Sequence, residues 1–294
     1  MDFRLTDDQK ALRAGVRELL ARHFDRAALR AAVEAGGVLD RKLWRELGAA
    51  GFFALRLPEE AGGVGLGLPE AVLVFEEAGR VLLPGPLIAT HLAAGEVPGA
   101  AEGEVVVTAP GGPFVEWLAE ADVVVGDVRD AEPMVSVDPL TPLHRIPDGD
   151  WGPMEAALLT AAEQLGSASR TTEMAVQHAR ERAQFGQPIG AFQAVKHLCA
   201  QMLVRTEVAR AAVYAAAVSG DPVETGGAKL LADEAAVRCA RDCLQVYGGM
   251  GFTWEADVHL HLKRAWVRAE RWLPAVLAEE MEAAALLDPS TGTA

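Results

Sequence analysis

The chain has 294 residues, 50% of them hydrophobic, and a formal net charge of −15, with 27 Lys and Arg against 42 Asp and Glu. That charge excludes a general nucleic-acid surface, which needs clustered cations over the phosphates, so an anionic ligand has to meet a local basic spot. No apolar run reaches the roughly 18–20 residues of a membrane span, and Met1 to Thr6 lead into a polar helix rather than a signal-peptide core, so a cytoplasmic protein is expected.

Thr6-Asp7-Asp8-Gln9 has the capping-box pattern of a helix start, and Leu12, Val16, Leu19, Leu20 and Phe24 follow at helical spacing. A second helix is expected from near Asp40 to near Gly51. The glycine-rich stretch 58–67 predicts a loop, and residues 69–81 return to helical periodicity before Pro84-Gly85-Pro86. Residues 1–102 thus form an expected N-terminal helical domain. In residues 103–150 the runs Val105-Val106-Val107 and Val123-Val124-Val125, set among recurrent prolines, predict short strands joined by turns and only a small, reduced β region. Residues 151–288 are alanine-rich and interrupted mainly at 185–190, 219–227 and 247–251, which predicts a C-terminal bundle of about four long helices. Residues 289–294 are expected to be a flexible tail. The expected fold class is mainly α.

Cys199, Cys239 and Cys243 cannot all pair, and no Cys-x-x-Cys occurs, so neither a disulfide scaffold nor a zinc site is indicated. Cys239 and Cys243 share one helical face and are expected to be buried thiols. No Glu-x-x-His pair occurs, and His259 and His261 lie on different helical faces near Glu255, which argues against a metal-binding bundle.

Two stretches point to a chemistry. Residues 182–193 read Arg-Ala-Gln-Phe-Gly-Gln-Pro-Ile-Gly-Ala-Phe-Gln, and residues 245–252 read Gln-Val-Tyr-Gly-Gly-Met-Gly-Phe. Together with Leu43-Trp-Arg-Glu-Leu-Gly48 and Leu57-Pro-Glu-Glu-Ala-Gly-Gly-Val-Gly-Leu-Gly67, in this order, they make the chain resemble the acyl-CoA dehydrogenase family over nearly its whole length. The resemblance implies FAD at a subunit interface, its flavin held by one chain and its ADP portion contacted by the neighbour's bundle. Arg182 matches the arginine that reaches the pyrophosphate, a role suited to a planar, permanently charged donor. Phe185 matches the aromatic residue near the adenosine or ribose, and Gln193 the glutamine that approaches the same cofactor across the dimer. Gln245, Val246, Tyr247, Gly248 and Gly249 match the turn whose backbone comes close to the phosphates and adenosine, where glycine removes a blocking Cβ.

The resemblance also implies a base. Acyl-CoA dehydrogenation takes a proton from the α-carbon as a hydride leaves the β-carbon, so a carboxylate must reach the α-carbon. Where the family usually has that glutamate, this chain has Trp272, and where a minority of members have it, on an earlier helix, this chain has Ala156. Glu155 is adjacent, but one residue turns a helical side chain by about 100°. Glu255 and Glu270 are expected to cap or to face solvent. The 103–150 region also lacks the Thr-Glu-Pro-like and Trp-Ile-Thr-like segments that hold the flavin ring in full-length members. The chain therefore looks like a short subunit that keeps nucleotide contacts and has no catalytic residue of its own, paired in an α2β2 assembly with a longer homologue that binds the acyl-CoA. Actinobacterial enzymes that shorten steroid side chains as CoA thioesters are similar. The alternatives are a complete homomeric enzyme using Glu155, and a flavin-free assembly protein. Residues 208–218 offer an alanine-rich helix face for a partner or for the core.

Overall fold

A computed structural model describes residues 4–287, so the expected tail at 289–294 lies outside the described residues. Helix α1 (Asp7–His23) starts on Thr6, whose hydroxyl accepts from the Gln9 amide at 3.2 Å while the Gln9 side chain accepts from the Thr6 amide at 3.1 Å. This reciprocal cap satisfies two free donors at the helix start. Helix α2 (Arg26–Ala35) is capped by Asp25 and stopped by Gly36 in the left-handed region. Helix α3 (Arg41–Ala49) follows on its own cap, Asp40. The sequence reading passes over α2, because this short helix buries only Leu29 and Val33 and so carries little periodic signal.

Within the 58–67 loop a single 3-10 turn (Glu59–Ala61) precedes α4 (Leu68–Val81) and α5 (Leu87–Ala93). The reading also passes over α5: nearly all of it is buried, which leaves no polar face to mark a period. The middle region is two small sheets. Strand β1 (Val107–Thr108) pairs in parallel with β3 (Val123–Val124), while β2 (Phe114–Glu116) and β4 (Glu132–Met134) flank β5 (Leu143–Arg145) antiparallel.

Five helices make up the C-terminal part rather than about four: α6 (Met154–Glu181), α7 (Gln193–Ser219), α8 (Pro222–Tyr247), α9 (Val258–Ala269) and α10 (Ala275–Leu287). A hairpin of β6 (Ala183–Gln184) and β7 (Gln187–Pro188) joins α6 to α7. The break expected at 219–227 is shorter, since Asp221 accepts from the Val223 and Glu224 amides and starts α8 there. Gly226 and Gly227 therefore lie inside a helix. Each costs about 1 kcal/mol against alanine, and α10 packs on this turn, with Ala278 3.8 Å from where a Gly226 Cβ would sit.

One apolar core runs from Leu20 and Phe24 through Trp44, Phe53 and Phe75 to Leu165, Cys239 and Leu260. Cys239 and Cys243 are buried free thiols. Helices α4 and α6 cross at glycines: a Cβ on Gly79 would lie 2.0 Å from the Glu163 carbonyl, and one on Gly166 1.9 Å from the Glu76 carbonyl. Among the described residues no helix is long and apolar enough to cross a membrane.

Candidate functional site

The two sequence motifs come together at one end of the bundle. Tyr247, the last residue of α8, stacks on His178 in the last turn of α6 with ring centroids 4.1 Å apart. Arg182 lies one turn beyond His178, its amide donating to the His178 carbonyl at 2.8 Å. The Arg182 side chain is exposed and makes no hydrogen bond or ion pair among the described residues. Burial, together with the nearby Arg182 charge, lowers the His178 pKa. The His178 ring was not legible as part of this region, because an aromatic stack between two helices leaves no local pattern.

Phe185 and Gly186 form the two-residue turn between β6 and β7, with φ 55 and φ 81. Two consecutive positive φ values define the hairpin turn that matches strand twist, but phenylalanine adopts one only at a cost. Phe185 is also 90% exposed, touching Phe192 edge-on at 5.9 Å. Gln193 opens α7, is exposed, and has its Nε2 2.9 Å from His197 Nε2.

Gln245 is exposed, whereas the Val246 side chain is buried in the core and leaves only its backbone for an outside group. Gly248 has φ 59 and ψ −140, which essentially only glycine adopts. A Cβ on Gly248 or Gly249 would meet nothing within 4 Å, while one on Gly251 would press on Tyr247 at 3.0 Å. Packing within the chain thus accounts for Gly251 but not for Gly249. Beyond the turn, Met250, Phe252 and Trp254 are exposed as well; sequence reasoning stopped at the glycines although Phe252-Thr253-Trp254 is an aromatic pair in plain view.

The other end of α9 is closed. Trp272, 4% exposed at φ 62, fills the position where a base is expected. Its ring lies against Gly111 and Gly152, where a Cβ would come within 3.1 Å and 2.6 Å of it, and the Arg271 guanidinium covers it at 5.1 Å. Around it, Arg268 pairs with Glu163 at 2.9 Å, Arg271 with Glu116, and Arg264 with Asp138. The crevice that remains measures about 20 Å³, room for about one water. Ala156 is fully buried and brings no chemistry.

Glu155 points elsewhere. Its carboxylate takes both ends of the Arg56 guanidinium, at 2.8 Å and 3.1 Å. Those hydrogen bonds hold its carboxyl below the usual carboxylate range, which opposes a role as proton acceptor. Glu255 is exposed and held low by bonds to its own backbone and to Thr253, and Glu270 is exposed at the end of α9. Among the described residues no group of three His, Cys, Asp or Glu is arranged to hold a metal.

Comparison with known proteins adds to this picture. Residues 6–100 match the acyl-CoA dehydrogenase N-terminal domain and residues 154–272 the acyl-CoA dehydrogenase C-terminal domain. The chain is 36% identical over 292 residues to acyl-CoA dehydrogenase IpdE2 of Mycobacterium tuberculosis, covering 88% of this chain and 91% of that protein. Among solved structures it is similar to a chain of the ChsE4-ChsE5 complex from Mycobacterium tuberculosis, with TM-score 0.83, 23% identity and coverage of 98% and 99%. It is also similar to a chain of a variant of the steroid ACAD Tcur3481-Tcur3483, with TM-score 0.81, 23% identity and coverage of 95% and 97%. At these identities the structural likenesses concern the fold.

Proposed function

Because this chain belongs to the acyl-CoA dehydrogenase family, whose members are FAD-dependent oxidoreductases acting on a CH–CH pair, we propose that it is the short, non-catalytic subunit of a heteromeric acyl-CoA dehydrogenase. Its part is to contact the ADP half of an FAD whose ring, with the acyl-CoA and the base, is held mainly by a longer homologue in an α2β2 assembly. Bound there, FAD supplies the hydride acceptor for α,β-dehydrogenation. Residues 1–102, 103–150 and 151–288 act in this reading as an N-terminal helical domain, a reduced β region and the FAD-contacting bundle.

Arg182 offers the pyrophosphate a planar, charged donor with no competing partner among the described residues. Phe185 offers the adenosine an exposed ring, and Gln193 an exposed amide. Gln245, Val246, Tyr247, Gly248 and Gly249 offer backbone, with no Cβ at the two glycines to hold the nucleotide away. The observation that carries the reading is the contrast between the two ends. Unpartnered, strained and Cβ-free groups face outward at one, while Trp272 and three buried ion pairs leave about 20 Å³ at the other. An acyl chain has no place in the second. The exposed Leu203, Val204, Val208 and Val218 of α7 supply an apolar face for the partner. The substrate class in this reading is a steroid side-chain CoA thioester, by the family resemblance of the sequence.

Co-expression with the longer homologue should give a yellow complex that oxidises acyl-CoA, and the isolated chain should carry no flavin. Arg182→Ala should lower flavin affinity about tenfold or more, the worth of hydrogen bonds to a charged group. Stoichiometric FAD and full turnover by the isolated chain would refute the proposal.

A further inference from the structure

A second cavity, of about 300 Å³, lies between α1, α2, α4, α6 and the start of α9. That volume is at the lower end of small-molecule pockets. Its wall is apolar, built from Leu20, Phe24, Leu29, Val81 and Met174. Its arginines are mostly satisfied. Arg17 takes both oxygens of Glu77 at 2.9 Å and 2.6 Å, Arg80 holds Glu173 at 2.6 Å, and Arg26 holds Asp257 at 2.6 Å. Arg170 is the exception. Its nearest carboxylate, Glu173, stands 3.7 Å away and is already engaged by Arg80.

Beside Arg170 the cavity exposes one face of an otherwise buried imidazole. His261 lines the cavity and is 3% exposed; its Nδ1 lies 2.8 Å from the Ser167 hydroxyl, and its Nε2 makes no hydrogen bond among the described residues. Burial first, then the Arg170 and Arg264 charges, push His261 down to about 3, so the ring is neutral near pH 7. In the tautomer in which Ser167 donates to Nδ1, Nε2 carries the proton and is a donor. An apolar wall with an underused guanidinium and an imidazole nitrogen free of partners among the described residues at one end is complementary to a molecule with an apolar body and one carboxylate.

We propose that this cavity binds a small amphipathic carboxylate, its head between Arg170 and His261 and its body against Leu20, Phe24, Leu29 and Met174. The assignment is independent of the flavin role, because none of these residues belongs to the 182–193 or 245–252 motifs.

Octanoate and octan-1-ol are the probes, titrated calorimetrically into the full-length chain. Octanoate is expected to saturate one site and octanol to bind at least about tenfold more weakly, the difference made by one charge-assisted contact. Arg170→Gln, a half-exposed position, should weaken octanoate about tenfold and leave octanol unchanged. Met174→Trp, which fills the apolar end, should abolish both, with circular dichroism and melting temperature reporting that each variant is folded. Absence of saturable octanoate binding, equal affinity for acid and alcohol, or unchanged binding in both folded variants overturns the proposal. So does a crystal structure with the cleft filled by a side chain of a second copy or of a partner chain.

Discussion

Phe185 combines positive φ with 90% exposure, and its edge-on contact with Phe192 is the ring contact set against that strain among the described residues. A left-handed conformation costs an L-residue about 1–2 kcal/mol. Phe185→Gly should therefore raise the melting temperature of the isolated chain while lowering flavin retention in the complex. A melting temperature that falls instead would mean the ring stabilises its own hairpin. Trp272 is the reverse case, since its ring is buried against Gly111 and Gly152 and under the Arg271 guanidinium. Motif spacing singled out Arg182, Phe185 and Gln193, and all three side chains are exposed. It could not assign Glu155, whose partner Arg56 lies 99 positions away, nor foresee that Val246 turns inward.

Helix starts were readable wherever a side chain caps its own first turn. Thr6 and Gln9 at α1 and Asp40 at α3 do so within a few residues. Helices α2 and α5 were missed because their period is short or masked by burial on every side. The glycines separate into local and tertiary uses that sequence alone does not distinguish. Gly166 sits where α6 crosses α4, and a Cβ there would overlap the Glu76 carbonyl at 1.9 Å. Gly15, in α1, has nothing within 4 Å. Gly166→Ala should force the helices apart and cost about 1–3 kcal/mol or more by urea unfolding. Gly15→Ala should stabilise by about 0.5–1 kcal/mol. Equal effects at both positions would show that the crossing relaxes freely.

Buried imidazoles give the fold a pH dependence of its own. Burial lowers His91 to about 4, with the Arg56 charge adding to it, and lowers His261 to about 3. Both values fall below the unfolded value of about 6.5. Between these limits the unfolded chain binds protons that the folded chain refuses, so stability is fully present above about pH 6.5 and declines as pH falls. Each histidine contributes up to about 1.4 kcal/mol per pH unit within its window. Urea midpoints measured from pH 7.5 to 5 should drop accordingly, and His91→Gln should reduce the slope; an unchanged slope in that variant would show that the His91 ring is hydrated. The family, the order of its motifs and the mainly helical fold were written in local sequence, because each depends on residue type and spacing within one or two turns. The closure of the crevice was not, nor was the cavity beside Arg170. Both depend on which remote side chains packing brings together, as with Arg264 and Asp138, 126 positions apart, and such pairings exist only once the helices and the small sheets have docked.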